Sequence, residues 1–194
     1  PGTLGSRISR ASATVEFLKS NVAGGDLEDT VYVTANPQYE RNHDTVAADF
    51  HTVVRVYEEE GWNEEIRTVL PETMTDRVLA VAEEYPRKRI LAHFIQPHYP
   101  FLGDTAEEHF AQDNLAIWTE IMEGDSKYSD DILQKAFEET LEITMPEVER
   151  AVEELDGKTV VTADHGQAIG DRASPIPIKE YGHPRGIYIP ELVK

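Results

Sequence analysis

Asp164 and His165 stand side by side at the end of the run Thr159-Val160-Val161-Thr162-Ala163-Asp164-His165-Gly166. A carboxylate and an imidazole on one turn suit a divalent cation. The glycine behind them lets the backbone turn sharply. Taken alone, the same tripeptide is also an ordinary turn whose aspartate caps the next element. A second group with chemical potential is Gln96-Pro97-His98-Tyr99-Pro100-Phe101, in which two prolines stiffen the loop around His98. A third is Ser9-Arg10-Ala11-Ser12-Ala13-Thr14, which leads into Val15-Glu16-Phe17-Leu18 as a loop enters a helix. Hydroxyls there are either simple caps or lie where free backbone N–H groups and the helix dipole favour an oxyanion or phosphate. Tyr181-Gly182-His183-Pro184 adds a further histidine on a turn.

These groups need elements to position them. Thr159 to Thr162 is β-branched and uncharged, which predicts a buried parallel strand delivering Asp164 to the carboxyl edge of a sheet. Ile90–Ile95 reads as a strand running into the His98 loop, and Asp29–Asn36 as a strand that exits at Pro37. From Asp44 to Glu59, Val46, Phe50, Val53, Val54 and Tyr57 recur at helical spacing, with Asp44 as N-cap and Gly61 as stop. Pro71–Glu84 predicts a helix with Met74, Val78, Leu79 and Val81 inward. Thr105–Met122 predicts another, and Asp130–Leu155 a long amphipathic one that Pro146 should kink or split. Ile187-Tyr188-Ile189 reads as a short strand, and Gly124 to Ser129 as a loop. The alternation of strand and helix implies an α/β fold: a mainly parallel sheet with right-handed crossovers and helices on both faces. No repeat or linker divides the chain, so residues 1–194 read as a single domain.

Thr162-Ala163-Asp164-His165-Gly166-Gln167 followed by Tyr181-Gly182-His183-Pro184 resembles the C-terminal metal-site signature of the sulfatase-like branch of the alkaline phosphatase superfamily. Gln167 stands where that family often has glutamate. Ile90–Ile95 with Gln96-Pro97-His98-Tyr99-Pro100 is similar to the family's strand and its Asp-Pro-His-x-Pro-Tyr loop. Ser9 to Thr14 resembles the nucleophile stretch, with Ser9 in register and Ser12 and Thr14 as alternatives. The resemblance runs from about Ser9 to the end, and its wording is that of haloarchaeal members. It implies an alkaline phosphatase/sulfatase-like fold lacking the family's first strand, since no apolar run ending in an acid precedes Ser9. On that reading the chain is an internal piece, incomplete at both ends.

The resemblance also implies an activity: metal-dependent hydrolysis of phosphate or sulfate esters with a Ser/Thr nucleophile. Asp164 and His165 would hold the metal, which could be Mn²⁺, Zn²⁺, Ca²⁺ or Mg²⁺. Ser9 would attack, and His98 and His183 would hold ester oxygens or protonate the leaving group. Arg10 would pair with the anionic substrate, as Arg185 or Lys179 could, although such residues more often form surface ion pairs. His93 reads as a buried, hydrogen-bonded strand residue. The chain has no cysteine, which excludes a formylglycine made from cysteine and moves the expectation toward phosphate or phosphodiester esters. The alternative is a catalytically inactive sulfatase-like domain that serves binding or assembly.

Composition describes the surroundings. The formal net charge is −19, from 37 acidic and 18 basic residues, and the acids are spread along the chain. Spread charge of one sign is a surface habit, and its self-repulsion is relieved by salt. This profile predicts a protein of a salt-loaded cytoplasm. No basic stripe suits nucleic acid, and no apolar run approaches a membrane span. The partner that the resemblance implies is a small-molecule anionic ester.

Overall fold

The computed structural model describes residues 3, 5–58, 61–110, 119–121, 123, 127–173, 176–186 and 190–193. In chain order its elements are α1 (Thr14–Asn21), β1 (Asp26–Thr34), α2 (Gln38–Arg41), α3 (His43–Val46), β2 (Asp49–Arg55), β3 (Trp62–Asn63), β4 (Thr68–Val69) and α4 (Pro71–Glu84). There follow β5 (Arg89–His93), α5 (Asp104–His109), α6 (Asp130–Glu154), β6 (Ala168–Arg172), β7 (Lys179–Gly182) and α7 (Pro190–Val193).

The protein is α/β, with an open three-stranded parallel sheet of order β2-β1-β5. Thr30–Thr34 of β1 are all buried, as a strand paired on both edges and covered on both faces must be. Successive side chains point to opposite faces. Val31 and Val33 enter a cluster with Val54, Val56 and the α4 residues Met74, Val78 and Val81. Tyr32 faces the other way, into a cluster with Leu18 of α1, Tyr39 and Val46. α6 closes a third cluster, in which Leu133 and Ala136 meet Tyr99, Phe101 and Phe110. Two small antiparallel hairpins, β3-β4 and β6-β7, complete the described structure. No described residue that is buried is Asp or Glu, which places the acidic excess on the surface. No described helix is long and apolar enough to cross a membrane.

α4 spans the predicted Pro71–Glu84, with proline at its first turn where no N–H is needed. Met74 is 0 % exposed at the centre of the first cluster. Truncation there removes a side chain and leaves a cavity, so Met74→Ala is expected to lower unfolding stability by about 2–5 kcal/mol. Urea titration checks this, and a loss under about 1 kcal/mol would mean that α4 does not seal the sheet.

The expected helix over Asp44–Glu59 is wrong. Only His43–Val46 is helical, and Asp49–Arg55 is β2, paired in parallel with β1. Thr52, Val53, Val54 and Val56 are β-branched, and pairing with β1 lets Val54 and Val56 reach one face while Phe50 and Val53 pack on the other. The helix expected over Thr105–Met122 begins as α5 but leaves helical geometry at Phe110. Phe110 is extended there, with its ring 5.4 Å from Phe101 and 4.5 Å from Tyr128. Residues 111–118 and 122 of that expected helix, the loop at 124–126 and the strand expected at Ile187–Ile189 lie outside the described residues.

Pro146 does not split α6, which is continuous over 25 residues. The carbonyl freed by its missing N–H belongs to Glu142, and Glu142 and Pro146 both lie on the exposed side of the helix, where a proline is tolerated best. The largest departure is Thr159–Thr162. The segment has no regular secondary structure, no described strand pairs with it, and Val160 and Val161 are 73 % and 58 % exposed. A cavity of about 1310 Å³ lies between it and β5, and no described residue fills that space.

Candidate active site

The carboxyl ends of the neighbouring parallel strands β1 and β5 and the loops around them converge on one cluster. β1 contributes Tyr32, β5 ends in His93, and the loop after β5 carries His98 between two cis peptide bonds, Gln96–Pro97 and Tyr99–Pro100. The segment after Thr162 brings Asp164 and His165. The first residue of α1 is Thr14, and His183 directly follows β7. Gly182 has φ of 76°, a left-handed conformation that turns the chain there at little cost for glycine. Tyr181 and Lys179 of the same hairpin bond Asp130 at the start of α6, which anchors the turn carrying His183.

Asp164 is the electrostatic centre. Its Oδ1 accepts the backbone N–H of His165 at 2.9 Å. Its Oδ2 is buried without a hydrogen-bond partner among the described residues, with His165 Nε2 at 3.5 Å and His93 Nε2 at 3.6 Å. Burial would raise the carboxyl pKa, but His93, His165 and the Thr14 hydroxyl outweigh it and hold Asp164 ionised well below the usual carboxylate range. His93 is fixed from behind, because the Tyr32 hydroxyl lies 2.6 Å from its Nδ1. A hydroxyl donating to Nδ1 leaves the proton on Nε2, directed at Asp164.

The other imidazoles are oriented in the same manner. His165 Nδ1 donates to its neighbour's carbonyl, Gly166 O, at 2.7 Å, so the Nε2 lone pair faces Thr14 Oγ1 at 3.2 Å. His98 Nδ1 donates to Tyr99 O at 2.6 Å, and its Nε2 faces His183 Nε2 at 3.1 Å. Two lone pairs cannot face each other at that distance, so His183 Nε2–H donates to His98. The His183 ring also lies 4.5 Å from that of His165. Burial lowers the pKa of His98. Burial first, and then the charge that His98 or His165 would carry, lowers His183 to about 4.

The three hydroxyls of the N-terminal stretch are separated by the fold. Ser9 Oγ accepts the Ala11 N–H at 3.1 Å and approaches Asp164 O at 3.5 Å, so it braces the turn. Ser12 is 0 % exposed, with its Oγ 2.9 Å from Glu16 Oε2 and 3.1 Å from Pro184 O. Glu16 accepts the Ser12 N–H through Oε2 and the Gly186 N–H through Oε1, tying the start of α1 to the His183 loop. Thr14 alone has its hydroxyl on a catalytic-type imidazole. Arg10 is exposed. Of the residues singled out in the sequence, the structure brings together Asp164, His165, His98, His183 and Thr14, while Ser9 touches the cluster only through a backbone oxygen. Tyr32 and His93 are the additions. His93 ends a strand five residues before His98, which is the one signal that could have pointed to it.

Unpartnered Asp164 Oδ2 together with imidazole nitrogens is the donor set a divalent cation takes. Among the described residues, however, no three side chains of His, Asp or Glu already group as a closed metal site. Asp164 and His165 would thus supply two ligands of a set completed by other atoms.

The fold defines the class only as α/β with a small parallel sheet and a polar cluster at its carboxyl edge. No protein-family model, curated protein or solved structure matches the chain.

The depressed His183 pKa has a stability consequence. Between pH 6.5 and about 4 the unfolded chain takes up a proton that folded His183 refuses. Its contribution is therefore fully present above pH 6.5 and is lost as the pH falls to 4, by at most about 3 kcal/mol. Metal-free protein is expected to lose urea resistance over that window, and His183→Phe to flatten the slope. An unchanged slope in the variant would show that His183 is not held neutral.

Proposed function

We propose that this chain acts as a metal-dependent hydrolase of phosphate or sulfate esters, with Thr14 as the nucleophile. The observation that carries the proposal is Thr14 Oγ1 at 3.2 Å from His165 Nε2, beside the unpartnered carboxylate oxygen of Asp164. Asp164 and His165 would hold the divalent ion. When bound, such an ion neutralises ester oxygens and lowers the pKa of a bound hydroxyl.

The chain's own residues do the rest. Thr14 Oγ forms a bond to phosphorus or sulfur and gives its proton to water, while the bond to the alcohol oxygen breaks and the alcohol departs with that electron pair and a proton taken from water. Water then hydrolyses the Thr14 ester. α1 presents its N-terminus at this position, and its free N–H groups favour the transferred anion. His98 and His183 are neutral near pH 7, so they serve as hydrogen-bonding groups for ester oxygens rather than as cationic acids. Tyr32 and His93 hold the Asp164 carboxylate in place. The acidic excess and absence of a basic stripe favour a small ester over nucleic acid as substrate, and suit a salt-loaded cytoplasm.

The test is turnover of 4-nitrophenyl phosphate, bis(4-nitrophenyl) phosphate and 4-nitrophenyl sulfate in molar KCl, with Mn²⁺, Zn²⁺, Ca²⁺ or Mg²⁺ added singly. Release of 4-nitrophenol that a chelator stops supports the proposal; none with any ion and ester removes it. A second reading, an inactive sulfatase-like binding or assembly domain, is favoured by the absence of a closed metal site among the described residues. It predicts ion binding without turnover.

A further inference from the structure

Glu16 is the third residue of α1, and an acid in a first helical turn is ordinary. A glutamate there normally reaches back to the N–H of the N-cap residue. Glu16 passes over its N-cap, Ala13, and its Oε2 accepts the Ser12 N–H at 3.0 Å instead. Its Oε1 accepts the Gly186 N–H at 3.0 Å, across 170 residues of chain. Ser12 Oγ lies 2.9 Å from the same Oε2 and 3.1 Å from Pro184 O, so its one proton is shared between the carboxylate and the loop. A helix cap needs none of the contacts to Pro184 and Gly186.

The two segments joined in this way carry the two halves of the site. Thr14 lies between Ser12 and Glu16, with its hydroxyl 3.2 Å from His165 Nε2. His183 stands immediately before Pro184, with its Nε2 3.1 Å from His98 Nε2 and its ring 4.5 Å from that of His165. The loop is shaped for the contact. Gly186 has φ of 74°, yet a Cβ there would meet nothing within 4 Å. Glycine is required by the backbone conformation and not by space. Burial opposes ionisation of Glu16, but the Ser12 and Gly186 donors and the Arg185 charge outweigh it and hold the carboxyl below its usual range. Both oxygens therefore accept hydrogen bonds near pH 7, which a carboxylate offers and an amide does not.

We propose that Glu16 is a positioning residue of this site: its carboxylate fixes the His183 loop against the start of α1, and so sets the His98–His183 pair at its distance from Thr14 and His165. The consequence for turnover rests on the hydrolase reading, whereas the coupling of the two segments does not. Displacing reacting groups by about 1 Å costs on the order of a hundredfold in rate, so a loop that drifts is felt in kcat.

Two variants separate charge from reach. Glu16→Gln keeps the length but has one oxygen for two N–H donors, so its NH2 meets the other. Glu16→Asp keeps the charge that suits a helix start but is one methylene too short to span both segments. In each, amide exchange at Gly186 is expected to speed up by about tenfold or more, and the nuclear Overhauser effect between the His165 and His183 rings to weaken. On an ester that the parent turns over, kcat is expected to fall by about 10–100-fold, with KM and Mn²⁺ affinity within about threefold, since Asp164 and His165 are untouched. Should Glu16→Gln fail to fold, Glu16→Asp reads the same quantities. Parent-like Gly186 exchange and ring contact in a folded variant overturn the proposal. A loosened loop with parent-like kcat overturns it too, leaving Glu16 as no more than a helix cap. A parent that turns over no ester removes the hydrolase reading, and exchange and ring contact then decide the coupling by themselves.

Discussion

Asp164→Ala is expected to abolish divalent-ion binding and to lower kcat/KM for any ester turned over by about a thousandfold or more, about 4 kcal/mol of transition-state stabilisation. The fold should survive. The variant loses the hydrogen bond from the His165 N–H to Oδ1, worth about 1 kcal/mol, together with the attraction of His93, His165 and Thr14 for the carboxylate, and at the same time relieves the cost of burying that charge. Calorimetric titration with Mn²⁺ in molar KCl, beside circular dichroism, reads both quantities. Unchanged Mn²⁺ affinity in a folded variant would move the metal away from the Asp164–His165 turn, and normal turnover would end the hydrolase proposal outright.

Thr14→Val carries the second large effect. Valine keeps the shape and removes the hydroxyl that faces His165 Nε2, so turnover is expected to fall by about 10³–10⁴ while Mn²⁺ binding persists. Thr14→Ser retains a hydroxyl and should keep measurable activity. Ser9→Ala should stay within about threefold of the parent, because Ser9 Oγ is engaged with the Ala11 N–H and lies near a backbone oxygen. The reverse pattern, an active Thr14→Val beside an inactive Ser9→Ala, would return the nucleophile to Ser9. Single-turnover measurement of the covalent intermediate separates the two cases, since only loss of the nucleophile removes it.

The two predictions divide the site as the sequence and the fold divide it. The order of the blocks places a metal-suited pair, an intervening histidine loop and an N-terminal hydroxyl stretch along the chain, and all three do reach the same edge of the sheet. Which of three hydroxyls faces the cluster depended on how α1 begins. Glu16 clamps Ser12 and Gly186, and Thr14 becomes the first helical residue, a choice made by contacts 170 residues apart. His93 is the hydrogen-bonded strand residue that the sequence suggests, but its partners, Tyr32 and Asp164, are remote in sequence, so its place beside the site was not legible.

By itself the sequence determined the elements whose signals are local. α4 matches its predicted span, β1 and β5 lie within a few residues of theirs, and α6 follows its long apolar stripe, because helix periodicity and caps are read within a few turns. Only the tertiary structure decided Asp49–Arg55 and Thr159–Thr162. Phe50, Val53 and Val54 fit helical spacing and a two-faced strand equally well, and pairing with β1 chose the strand. Thr159–Thr162 has the composition of a buried strand and yet stays exposed, because a strand is completed by hydrogen bonds to a neighbour and here β5 lies across an open cavity. A helix satisfies its backbone within itself; a strand cannot, and its state is settled by what stands beside it.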